Sequence, residues 1–295
     1  MTDGAGGTPV TLAVREHGPR EASTHVVLLH GFPDDQAMWD PLVAALPEDW
    51  HVVTYDSRGA GGSTRPTARV DYRLHHHVDD LVAVLEATVP AGARAHLVGH
   101  DWGSIAGWDV VAAEATGDPR LAGRLATWTS VSGPPLDHLA ARTSGWAGRR
   151  RMLPQLLHSW YVWFFLLPRL PELTWRRGQR LLLPLLRRID PTLSRLDWGP
   201  GVAHDAVPAL EIYRANVVRR LRGPAAAWRT SLPVLLVVAL RDGFVLPLST
   251  DGLEERCHDL TRVELDEGHW VPRARPEELA ALVTEHVRSH PAPQA

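Results

Sequence analysis

The chain has 295 residues, of which 44% are hydrophobic and 22% charged, and its formal net charge is -3. This suits one large α/β domain with room for an inserted subdomain, and so small a net charge gives no whole-chain attraction to nucleic acid or to an anionic membrane. A single cysteine, Cys257, excludes an internal disulfide framework and fits a reducing, cytoplasmic setting in which that thiol is inert.

The opening MTDGAGGTPV lacks the basic-then-apolar order of a secretory signal and reads as a flexible lead-in. After it, short apolar runs alternate with longer helical patterns. HVVLLH (25–30), HVVTYD (51–56), AHLVG (95–99), LATWTSVSG (125–133) and LPVLLVVAL (232–240) read as buried strands, and TRVELDE (261–267) as one more. Near-continuous apolar character in runs bounded by Gly, Pro and Asp is what a parallel sheet covered on both faces requires. Residues 71–88 carry apolar side chains at helical spacing and stop before Pro90 and Gly92, and 276–289 repeat the pattern. The alternation predicts a mostly parallel, doubly wound α/β sheet.

One stretch breaks this rhythm. Residues 134–223 hold only arginine- and leucine-rich helical pieces, punctuated by Pro168, Pro171, Pro184, Pro191 and Pro200. The expected organisation is a core of 1–133 and 224–295 with a helical cap, 134–223, inserted between strands. Within it WYVWFFLL (160–167) and LLLPLL (181–186) read as packed cap and substrate-tunnel lining rather than a membrane-docking surface. No apolar stretch reaches the ~20 residues that span a bilayer. RGAGGS (58–63) lacks both the G-x-G-x-x-G spacing and the Lys-Ser/Thr ending of a phosphate loop, so it reads as a tight turn. His75, His76 and His77 are adjacent, so on a helix they diverge and do not chelate one ion; they read as a solvated or partly packed face.

The chemistry gathers at strand ends. VGHDWGSIAG (98–107) has the strand–turn–helix layout of a nucleophile elbow, with Gly99 and Gly103 two residues either side of the tip. The tip is Asp101, not serine, and an aspartate there is also an ordinary helix N-cap. LLHGFPDD (28–35) turns through Gly31, Phe32 and Pro33. It offers the N–H of Phe32, which with that of Trp102 forms an oxyanion hole, while Asp34 or Asp35 caps the next helix. Asp242 in ALRDGFVLP and His269 in LDEGHWVPRARPEEL each follow a strand, giving the order nucleophile, acid, histidine.

With these motifs the sequence resembles the α/β-hydrolase superfamily, within it the epoxide hydrolase and haloalkane dehalogenase group, and epoxide hydrolases most. The matches are HGFP (30–33), YDSRGAGGS (55–63), GHDWG (99–103), RDGFVLP (241–247) and EGHWVP (267–272). The resemblance implies Asp101 as nucleophile, His269 as base, Asp242 as orienting acid, and Phe32 and Trp102 as oxyanion donors. Tyr161 and Tyr213 stand at positions resembling the paired lid tyrosines of epoxide hydrolases, whereas Tyr55 and Tyr72 read as structural. A dehalogenase using the same aspartate is the alternative. Many of those enzymes carry Asn where this chain has Phe32, and the fluoroacetate type has Arg where it has Trp102. The implied substrate is a small lipophilic epoxide, with no metal, organic cofactor or nucleic-acid partner and no stable membrane insertion; a homodimer is left open.

Overall fold

The computed structural model describes residues 9–194, 202–223 and 227–291. Most of the expected lead-in, Pro200 and the last four residues lie outside them. Seven strands, β1 (Val14–His17), β2 (His25–Leu29), β3 (His51–Tyr55), β4 (Ala95–His100), β5 (Leu125–Val131), β6 (Val234–Ala239) and β7 (Leu260–Leu265), form one sheet in the order β1-β3-β2-β4-β5-β6-β7. β1 runs antiparallel to β3, and every other pairing is parallel. The six expected strands are all present. β1 was not expected, because its VREH is a largely exposed edge with no apolar alternation to read.

The sheet is wound on both faces. Alternate residues of β2 divide between them: Val26 and Leu28 pack with α1 (Asp40–Ala45) and the C-terminal α12 (Pro276–Ser289). Val27 and Leu29 pack on the other face with α2 (Leu74–Thr88) and α3 (Trp102–Ala115). That period of two, with both faces covered, explains why the inner strands are almost continuously apolar. The helix expected over 71–88 begins at Leu74; Arg69–Tyr72 form a separate 3-10 turn, and Arg73 is extended at ψ 145°.

Between β5 and β6 the described residues hold helices and no strand: α4 (Leu136–Arg142), α5 (Gly145–Arg151), α6 (Leu153–His158), α7 (Trp160–Phe165), α8 (Leu170–Arg177), α9 (Gln179–Ile189) and α10 (Val202–Arg222), with a short 3-10 turn before α10. Their inward side chains, Phe165, Trp175, Leu210 and Tyr213 among them, join Phe32, Trp102, Phe244 and Trp270 in a third apolar cluster over the carboxyl ends of the strands. The run expected as packed lining divides by side. Phe165 is buried, but Trp160, Trp163 and Leu167 are exposed. A short α11 (Val271–Ala274) leads into α12.

The chain leaves β2 for β3 on one side, while β4 lies against β2 on the other. Loops at such a reversal diverge and leave a crevice for a ligand outside the strand ends. The residues that follow β2 and β4 therefore meet there.

Candidate active site

Asp101 joins β4 to α3 with φ 52° and ψ -120°, a backbone conformation strained for any side chain larger than glycine's. The strain aims the carboxylate away from the helix, and no side-chain capping bond is made, so the N-cap alternative does not hold. Small neighbours permit the close approach. A Cβ on Gly103 would run into the carbonyls of Leu29 and His30, and one on Gly31 would come within 2.5 Å of Asp101 Cβ and Oδ1. Phe32 is thereby held so that its N–H donates to Asp101 Oδ1 at 2.8 Å. Among the described residues this is the one backbone N–H donated to that carboxylate; the N–H of Trp102, the other expected donor, lies in the same turn. Asp35 caps the next 3-10 turn through the N–H of Ala37, while Asp34 accepts from the Trp270 indole at 2.7 Å.

Asp242 follows β6 and His269 follows β7, and the two strands are neighbours. His269 Nδ1 lies 2.8 Å from Asp242 Oδ2, and Asp242 Oδ1 accepts the N–H groups of Phe244 and Val245, each at 2.8 Å. Nδ1 therefore carries a proton, and Nε2 points at Asp101 Oδ2, 3.4 Å away. All three side chains are buried. Burial opposes an imidazolium, but the Asp242 charge and the hydrogen bonds to Asp101 and Asp242 outweigh it and hold His269 well above the ordinary imidazole range. Burial likewise opposes ionisation of Asp101, and the hydrogen bond and charge of His269, with smaller help from His100 and Phe32, overcome it; its pKa falls below the usual carboxylate value.

Tyr161 on α7 and Tyr213 on α10 close the crevice from above. Burial, then the charge of Asp101, pushes both phenols well above their usual pKa, so both keep their protons; a hydrogen bond with the Trp102 side chain pulls Tyr213 the other way. The space beneath has two lobes. A larger one includes Leu139, Met152, Leu156, Val162 and Leu221 in its wall, and a smaller one has Phe165, Trp175, Leu186 and Trp270. Asp101, Tyr161, Tyr213 and Phe244 line both, so the carboxylate and the phenols sit at the junction.

Three contributions are not legible from the motifs. Asp190, at the end of α9 and 0% exposed, reaches into the core, where Oδ2 accepts from His269 N at 2.6 Å and from Gly243 N at 3.3 Å. It thus ties together the loops that carry the base and the acid. Its other oxygen accepts from both the backbone and the hydroxyl of Thr192. His100 donates from Nε2 to the carbonyl of His269 at 2.9 Å. The indole N–H of Trp175 is buried without an acceptor among the described residues, and its ring lines the smaller lobe. Neither Asp190 nor Trp175 lies in a recognisable motif; the only signal for Asp190 is an acid after a helix rich in leucine and arginine.

An acid–base pair ordered after a carboxylate elbow, on a mostly parallel sheet with helices between β5 and β6, defines an α/β hydrolase. Residues 26–282 match the model of the alpha/beta hydrolase family, and the chain belongs to that family. It is 33% identical over 287 residues to the probable oxidoreductase EphD of Mycobacterium tuberculosis, covering 93% of this chain and 47% of that one. The chain thus spans about half the length of this relative. It is 25% identical over 275 residues to epoxide hydrolase 3 of Xenopus tropicalis, covering 89% of this chain and 71% of the other. Among solved structures, epoxide hydrolase A of Mycobacterium thermoresistibile superposes with a TM-score of 0.75 at 24% identity, over 96% of this chain and 97% of that one. The likeness to epoxide hydrolases therefore extends from motifs to the whole fold.

Proposed function

We propose that the protein is an epoxide hydrolase that works through an ester on Asp101, with residues 134–223 as its cap. The observation that carries this is a buried carboxylate, 2.8 Å from an N–H and 3.4 Å from a histidine, beneath two protonated phenols. A serine suits attack at a carbonyl; a carboxylate suits displacement at an sp3 carbon. An Asp101 oxygen forms the new C–O bond as the oxirane C–O bond breaks, and the departing oxygen takes a proton from Tyr161 or Tyr213. Proton donation of this kind contributes ~10²–10⁴ in rate.

In the second step His269 removes a proton from water, which adds to Cγ of the Asp101 ester. The tetrahedral oxyanion forms on the oxygen already facing Phe32 N–H, with Trp102 N–H as its second donor. Collapse expels the alkoxide, which is protonated from His269 and leaves as a vicinal diol, and the remaining proton of the water passes from the Asp101 carboxyl to the phenolate, restoring both groups. Asp242 holds the imidazole and stabilises its cation. The apolar lobes suit a lipophilic epoxide with unequal substituents. Cys257, buried and with its thiol pushed up to about 12, suits a reducing cytoplasm.

The test is a panel of aryl and long-chain alkyl epoxides beside chloro- and bromoalkanes, read as diol or halide released. Epoxides should turn over, and His269→Gln should trap substrate mass on the peptide carrying Asp101. Replacing both Tyr161 and Tyr213 by Phe should cut epoxide turnover by ~10²-fold or more. The Trp175 indole, without an acceptor among the described residues and in the wall of a lobe that Asp101 also lines, favours the second reading, a haloalkane dehalogenase, because such an N–H suits a departing halide. Halide release with inert epoxides, undiminished in the double Phe variant, would establish that reading instead.

A further inference from the structure

The outward surface of the inserted helices is rich in both apolar and positively charged groups. Residues 145–190 contain nine arginines and two acids in a chain whose net charge is -3. The two acids do not neutralise that surface, since Asp190 is buried against the core and Glu172 pairs with Arg214 at 2.7 Å. Arg149, Arg150 and Arg151 at the end of α5, and Arg176 and Arg177 at the end of α8, are exposed and make no ion pair among the described residues. The whole-chain charge conceals this segregation.

Large apolar side chains are interleaved with these arginines. Nine of the twelve exposed large hydrophobic residues of the described chain fall between Trp146 and Leu185. Trp146 is 78% exposed and Leu157 65%, values that packing within the chain does not account for. The same helices already supply a separate inward set, including Met152, Gln155 and Phe165. α5, α6 and α7 pack in succession, and α7 and α8 both pack on α10, so these exposed side chains belong to one connected group of helices.

We infer that this surface docks the protein peripherally on an anionic lipid bilayer. Exposed Trp and Leu enter the boundary between headgroups and acyl chains, while arginine without acidic partners is attracted to lipid phosphates. The helices from α5 to α8 are six to eight residues long, and none in the described structure is long and apolar enough to span a membrane, so they lie on the surface rather than cross it. The larger lobe is walled by Leu156, Ser159 and Trp163 of these same helices. This places its entrance beside the bilayer and makes a membrane-dissolved, long-chain epoxide the favoured substrate class. Docking itself is independent of the chemistry at Asp101; only the delivery of substrate rests on the proposed reaction.

The test is co-flotation of the full chain with vesicles of phosphatidylcholine alone or with about 30% phosphatidylglycerol, at low salt and in about 0.5 M NaCl. The expected result is binding at least tenfold tighter to the anionic vesicles and weakened at least tenfold by salt. It should be lost in Arg149→Gln/Arg150→Gln/Arg151→Gln and in Trp146→Ser/Leu157→Ser, with circular dichroism unchanged. Both variants should hydrolyse a water-soluble epoxide like the parent and lose turnover of a long-chain epoxide held in anionic vesicles. Vesicle binding does not depend on turnover, so an enzyme inert towards epoxides leaves the docking result intact. Equal binding to both vesicles, or none, overturns the inference. So does a dimer in sedimentation that Trp146→Ser/Leu157→Ser dissociates without any lipid binding, which assigns the surface to a second copy.

Discussion

Asp101 and His269 make opposite demands on a proton. In the free enzyme each favours the other's charge, which supports an ionised carboxylate at 101 but also favours the imidazolium of His269 over the neutral base. In the proposed reaction esterification resolves the conflict. Once Asp101 bears carbon, its negative charge is gone and one of the two carboxylates that raise His269 no longer does so. The imidazole then loses its proton more readily, at the step that needs a base. A neighbouring anion favours the cation and raises its pKa, so removing it lowers the value. His269 should therefore titrate above the ordinary ~6.5 in the parent and at lower pH in Asp101→Asn, as read from its ring signals by NMR. An unchanged midpoint would mean that the carboxylate at 101 does not hold the proton on His269. The same pair links to stability. Its contribution from His269 is full below ~6.5 and is lost as pH rises through the raised value. Its contribution from Asp101 is present above ~3.9 and is lost as pH falls through the lowered one.

At the scale of elements, the end of α9 braces the acid and base loops. Oδ2 of Asp190 accepts two backbone N–H groups, one beside Asp242 and one on His269, and a Cβ on Gly268 would collide with the carboxylate. Attack by Asp101 does not call on His269 as a base, but hydrolysis of the ester does. Asp190→Ala should therefore slow ester hydrolysis by about 10–100-fold, the scale of a small misplacement of a catalytic group, while pre-steady-state alkylation changes by less than about threefold. Asp190→Asn, which retains an acceptor, should restore most of the lost rate. Equal loss in both steps would reduce Asp190 to a support of the fold. Sequence pattern could not disclose this brace, because it joins residues 53 and 79 positions apart through backbone groups. The five inner strands, β2 to β6, were legible because burial on both faces makes them almost continuously apolar, whereas β7 is a partly exposed edge with Arg262 and Glu264 in its run. Asp101, Asp242 and His269 were legible because each sits in a short motif at a strand end. β1 left no signal because its side chains face water. Tyr161 and Tyr213 were suggested by resemblance, and their common position over Asp101 depends on two helices far apart in the chain.

For the molecule as a whole, the fold separates positioning from access. The sheet fixes a carboxylate, a histidine and its partner acid at a topological reversal, and the inserted helices supply the phenols, the two apolar lobes and an outer surface of tryptophan, leucine and arginine. The proposed function gives Asp101 a covalent role, and one isotope measurement bears on that role directly. Enzyme in excess should be mixed with an epoxide in heavy-oxygen water for a single turnover, and the diol and the peptide carrying Asp101 examined by mass spectrometry. The account predicts a diol with only light oxygen, one atom of it from Asp101, and heavy oxygen in the carboxylate at 101. Heavy oxygen in that first diol, with Asp101 unlabelled, would show that water attacks the epoxide itself and contradict the account.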